Sequence, residues 1–88
     1  MVRKKSLLER MKANPRADWT IANVKTLCRN VGLKLTPPTS GSHYKVHSEF
    51  LNGMLTIPGR RPIKPFYIRD LVGLAEAHKQ HIEAMRSA

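Results

Sequence analysis

The apolar residues of this chain change their period twice, and that double change restricts the folds open to it more than any other feature. Leu7, Leu8 and Met11 share one helical face behind Ser6-Leu7-Leu8-Glu9, where Ser and Glu stand three apart as a capping box. Asn14-Pro15 stops that segment, because the residue before a proline is pushed out of the helical region. Ile21, Val24, Leu27, Cys28 and Val31 then repeat at steps of three and four. With Thr20 as N-cap and Gly32 behind, the spacing predicts a second helix over residues 20–31. Trp19 and Val24 occupy the two positions of a hydrophobic staple at its start.

From residue 33 the period falls to two. Leu33-Lys34-Leu35-Thr36 alternates, and Pro37-Pro38-Thr39-Ser40-Gly41 breaks it. Alternation resumes from Ser42 to Ser48, with Tyr44 and Val46 on one face and His43, Lys45 and His47 on the other. Asn52-Gly53 has the chemistry of a hairpin turn, after which Met54-Leu55-Thr56-Ile57 forms a third strand ending at Pro58. A loop stiffened by Pro58, Pro62 and Pro65 follows. Pro65 suits a first helical position, and Ile68, Leu71, Val72, Ala75, Ile82 and Met85 mark the stripe of a last helix. The order α-α-β-β-β-α predicts an α+β fold, a three-stranded antiparallel meander with one face on helices and the other wet.

A chain of 88 residues suffices for one domain and not for two, so residues 1–88 are read as a single domain whose first and last few residues fray. Its 41% apolar content supports one modest core. A lone cysteine, Cys28, excludes an internal disulfide, fits a reducing, cytoplasmic setting and falls on an apolar stripe as packing. No apolar run approaches the ~18 residues of a membrane span. The basic start Met1-Val2-Arg3-Lys4-Lys5 is not followed by the apolar segment of a secretory signal.

Charge supplies the first functional clue. The net value is +10, and residues 20–48 carry Lys25, Arg29, Lys34 and Lys45 with no acid among them. Residues 71–88, by contrast, balance to zero. A basic region beside a neutral tail predicts a polyanion-facing surface, most simply nucleic acid. Helix 20–31 is not followed within a short turn by a second helix, which argues against a helix-turn-helix DNA reader. No CxxC, HExxH or phosphate-cradling glycine loop is present. His78 and His81 stand three apart where a zinc pair prefers four, and His43 and His47 are separated by ~13 Å along a strand, too far to share an ion. Neither metal nor cofactor is expected.

His43 stands apart from the other histidines. It follows the flexible Ser40-Gly41-Ser42, opens a strand, and shares a face with Lys45. Lys25, Arg29, Arg60, Arg61 and Lys64 are positioned to border it in the expected fold. An imidazole among phosphate-binding cations can take the proton of a ribose 2′-hydroxyl as it attacks the adjacent phosphate, or protonate the leaving 5′ oxygen. A lysine there would stabilise the charge that builds on phosphorus. On these grounds alone, a histidine at a strand start is more often structural or idle.

The run Gly32-Leu33-Lys34-Leu35, a short polar stretch and Gly41-Ser42-His43-Tyr44-Lys45-Val46 resembles the HicA family of bacterial toxins. Leu55-Thr56-Ile57-Pro58 and Ile63-Lys64-Pro65-Phe66-Tyr67-Ile68-Arg69-Asp70-Leu71 are similar to that family's third strand and final helix entry. The resemblance covers about residues 20–75, leaving residues 1–19 as an N-terminal helical extension and residues 76–88 as a prolongation of the last helix. It implies a double-stranded-RNA-binding-domain-like fold and a metal-independent, mRNA-cleaving endoribonuclease, the toxin of a type II toxin–antitoxin pair. His43 would be catalytic, and Gly41 would let the backbone approach the substrate. Ser42, Lys45, Lys25, Arg60, Arg61 and Lys64 would contact the RNA. The implied partner is a HicB-type antitoxin, acidic enough to compete with RNA for the basic surface, and DNA would be met only through that complex. Tyr44 stands where many members carry a second histidine. The rival reading is a catalytically silent RNA-binding module of the same fold.

Overall fold

The computed structural model describes residues 5–87; most of the basic start lies outside them, whereas the last helix, expected to fray at its end, stays helical to Ser87. Helix α1 spans Leu7–Ala13 and opens on the expected capping box: the Glu9 amide donates to Ser6 Oγ at 3.2 Å, and the Ser6 amide donates to the Glu9 carboxylate at 3.4 Å. Helix α2 spans Ile21–Val31, with Thr20 as N-cap and Asn23 completing a second reciprocal cap. It ends on Gly32 at φ 87°. Between the two helices the Trp19 indole donates to the Asn14 carbonyl at 2.8 Å, which turns the chain after Pro15.

Strands β1 (Lys34–Thr36), β2 (His43–His47) and β3 (Leu55–Pro58) form one antiparallel sheet in the order β1-β2-β3. Register sets its two faces. Leu35, Val46 and Leu55 lie in one cross-strand row and Tyr44 and Ile57 in the next, all on the helix side. Thr36, Lys45 and Thr56 make a row on the opposite side, with His43 beside Pro58 and His47 beside Lys34. Val46 and Ile57 are fully buried, whereas Lys45, His43 and both threonines are exposed. The period-two pattern is thus realised as an apolar face against helices and a polar face in water.

Helix α3 (Pro65–Ser87) supplies Ile68, Leu71, Val72 and Ala75 to a single core shared with α1, α2 and the sheet. Burying the Ile68, Leu71 and Val72 side chains contributes about 1.5–3 kcal/mol each against leaving them in water. Trp19 and Val24 both belong to this core, as a staple requires. Lys12 also bridges α1 to α3 through Glu76, 2.8 Å away.

Two expectations change. The connection between β2 and β3 is a loop over residues 48–54, not a tight turn on Asn52-Gly53. Ser48 is the reason: its Oγ accepts the Phe50 amide at 3.1 Å and lies 2.7 Å from His78 Nδ1, so the chain folds onto α3 before it reverses. His78, at 1% exposure, takes the core position on the stripe, and Met85 is 52% exposed beyond the end of the core. The helix outruns the sheet it packs on, and its last turns have nothing apolar to cover.

Candidate functional site

The site forms where β2 begins, β3 ends and α3 starts. Gly41 has φ 77°, a left-handed conformation that side-chain-bearing residues adopt only at a cost, although a Cβ there would meet nothing within 4 Å. The chain thereby turns out of the proline loop and delivers His43 to the first position of β2. Immediately across the sheet, the Gly59 amide donates to the Ser42 carbonyl at 2.6 Å, prolonging the β2–β3 pairing by one step. A Cβ at Gly59 would stand 2.9 Å from the Tyr44 ring and 3.3 Å from the Ser42 carbonyl, so this approach needs glycine. At the other end of the loop, the Ile63 amide donates to the Trp19 carbonyl at 2.9 Å. The segment carrying Arg60 is therefore held at both ends, and Lys64 directly follows the second attachment.

His43 is exposed and lines two cavities at once. One, of about 230 Å³, is lined by Ser42, Arg60, Lys64 and Tyr67 together with Pro58, Pro62 and the buried Ile63. The other, of about 240 Å³, is bounded by Lys45, Thr36, Thr39 and Ser40 with Pro37 and Pro38. The N-terminal turn of α3 opens beside the first cavity, where Lys64 and Tyr67 belong to both helix entry and wall. The positive end of a helix dipole favours an anion there, as do the two cations.

The residues expected at the site divide accordingly. The structure brings Ser42, His43, Arg60 and Lys64 together around one cavity, and Lys45 meets His43 at the other. Gly41 shapes the approach without lining either cavity. Lys25 is elsewhere: its Nζ lies 5.4 Å from the centre of the Tyr44 ring, and Tyr44 belongs to the helix-side face of β2. Arg61 turns away to Asp18, donating from Nε at 3.0 Å and 3.1 Å and from Nη2 at 2.6 Å. Those hydrogen bonds hold the Asp18 carboxyl below its usual range and raise the Arg61 guanidinium. Arg29 is exposed on α2 and lines neither cavity.

Reasoning from the sequence missed Tyr67. Its place one residue after Phe66, in the first turn of a helix behind Lys64-Pro65, is the signal that would have found it. Cys28 is buried in α2, and burial pushes its thiol up to about 11, away from nucleophile chemistry. Among the described residues no group of three or more His, Cys, Asp or Glu side chains could hold a metal ion, and no helix is long and apolar enough to cross a membrane. No protein-family model, curated protein or solved structure matches the chain.

Proposed function

We propose that this protein is a metal-independent endoribonuclease that cleaves mRNA, the toxin of a type II toxin–antitoxin pair. The observation that carries the reading is His43, exposed between two cavities and flanked by Arg60 and Lys64 on one side and Lys45 on the other. In the proposed step a ribose 2′ oxygen attacks the adjacent phosphorus and the bond to the 5′ oxygen breaks. The products are a 2′,3′-cyclic phosphate and a 5′-hydroxyl. His43 takes the 2′ proton or supplies the proton that the 5′ oxygen needs, and solvent returns the imidazole to its starting state. Arg60, Lys64 and Lys45 offset the negative charge that builds on the phosphoryl oxygens. Ser42 and the Gly41 turn frame the approach.

The finer fold assignment belongs to the same proposal: α2, the meander and α3 follow the order of a double-stranded-RNA-binding-domain-like fold. So does the partner. A net charge of +10 and an exposed basic rim suit an acidic HicB-type antitoxin that covers the cavity RNA needs.

The test is RNA cleavage by the purified protein in the presence of a chelator. Wild type is expected to yield fragments ending in cyclic phosphate. His43→Ala is expected to yield none while binding RNA within about two-fold, since backbone contacts dominate affinity. RNA that survives equally with wild type and His43→Ala would leave the silent RNA-binding module instead.

A further inference from the structure

Of the five aromatic residues in the chain, three are engaged away from the cavities. Trp19 is in the core, Tyr44 lies beneath Lys25, and Phe50 stacks on His78 and His81 with ring centres 5.5 Å and 5.1 Å apart. The other two sit at the basic end. Tyr67 forms part of the wall that also holds His43, Arg60 and Lys64. Phe66 lies against it, ring centres 4.0 Å apart and planes at 35°, and is 50% exposed. A large apolar ring left in water on a cationic surface is what a nucleic-acid base covers well, because every base has a π-face and stacking needs no particular sequence.

The dimensions favour one base. A cavity of about 230 Å³ is smaller than the ~300 Å³ at which pockets for drug-sized ligands begin. Its lining combines apolar Pro62 and Ile63 with cationic Arg60 and Lys64, which matches a base with its phosphate beside it. The cavity on the far side of His43 has no aromatic residue. It offers the hydroxyls of Thr36, Thr39 and Ser40 with Lys45, which suit a ribose and phosphate. The arrangement is asymmetric about His43, a stacking side and a hydroxyl side.

We propose that Tyr67, backed by Phe66, is a stacking subsite for one unpaired nucleobase beside the phosphate at His43, so that the ligand is single-stranded RNA crossing His43 with one nucleotide on each side. Bases inside a duplex are already stacked and paired and present no free face to Tyr67. The inference rests on the ribonuclease reading for what happens at His43 but not for the binding itself.

A labelled 2′-O-methyl oligonucleotide, which lacks the attacking hydroxyl, separates the two. By fluorescence anisotropy, wild type is expected to hold the single strand at least about ten-fold more tightly than the same sequence in a duplex. Tyr67→Leu is expected to weaken the single strand by roughly ten-fold, and Phe66→Ala by a few-fold, with duplex affinity unchanged within about two-fold. Phe66 is exposed, so Phe66→Ala keeps the test valid if circular dichroism shows Tyr67→Leu to be unfolded. Equal affinity for strand and duplex, or unchanged single-strand affinity in the folded variants, overturns the subsite. If cleavage of ordinary RNA is His43-dependent while both variants bind normally, the subsite falls and the ribonuclease stands. If the variants lose binding and no RNA is cut, the subsite stands and the ribonuclease falls.

Discussion

Arg61 and Asp18, 43 positions apart in the chain, meet in a fork with Nη2 2.6 Å from Oδ2 and Nε within 3.1 Å of both carboxylate oxygens. The pair is exposed, so solvent screens it and its effect is positional: it fastens the basic loop to the segment preceding α2. The hydrogen bonds depress the Asp18 value in the folded state. Its contribution is therefore complete above the ordinary carboxylate value of about 4 and disappears as pH falls through the lower, folded value. NMR titration of the Asp18 side chain should give a midpoint below ordinary, and Arg61→Ala should return it upward. An ordinary midpoint in wild type would mean the fork is open in solution.

Arg60 and Arg61 are neighbours with opposite expected phenotypes. Arg60 and Lys64 face the cavity, and each phosphate contact removed should lower the steepness of the salt dependence of single-strand binding by about 0.7. Arg60→Ala and Lys64→Ala should each show this flattening. Arg61→Ala should leave the slope close to that of wild type. Log–log plots of affinity against salt for the three variants decide the matter, and equal slopes for Arg60→Ala and wild type would remove Arg60 from the phosphate path.

Ser48 and His78 form a buried polar pair at the opposite end of the sheet. Removing the hydroxyl leaves His78 Nδ1 without its partner and deprives the Phe50 amide of its acceptor. Ser48→Ala should cost about 1–3 kcal/mol. In a domain of this size that corresponds to a lowering of Tm by roughly 4–8 °C for each kcal/mol. Differential scanning calorimetry reads it directly. The proposed RNA cleavage, measured well below that Tm, should be unchanged, because neither residue lines either cavity.

Cys28 reports on opening of the core. Burial raises its thiol from 9.0 to about 11, so the folded state retains a proton that the unfolded chain loses. Its contribution to stability is complete below pH 9, declines between pH 9 and about 11, and is flat beyond. At pH 8 an alkylating reagent should label it only through unfolding, at a rate that rises with urea. Rapid labelling of the native protein in the absence of urea would show the α2 face to be open.

The elements were legible where their signals are local. The Ser6 and Glu9 cap, the Thr20 cap, the stop at Gly32 and the alternation through His43 and His47 are each set by neighbours within four residues, and each produces the expected element. What escaped depends on partners remote in the chain. Asp18 claims Arg61 across 43 positions, and α3 draws Ser48 inward and opens the turn expected on Asn52-Gly53. At the site, strand parity placed His43 and Lys45 on one face correctly. Parity says nothing of which face α2 covers, and that decides where Lys25 lies. Tyr67 reaches the cavity only because α3 begins beside the end of β3, a juxtaposition that the linear pattern does not encode.

The loop bearing Arg60 hangs between two moorings, Gly59 on the Ser42 carbonyl and Ile63 on the Trp19 carbonyl, with the fork to Asp18 as a third line and Lys64 just beyond the second. Two of those three attachments end on residues that precede α2. A fragment trimmed to begin at residue 20 would retain every strand and both longer helices, yet its cationic lip would swing free on one side. The leading segment is thus part of what holds the basic loop in place, and the stretch that looks self-contained is not separable from it.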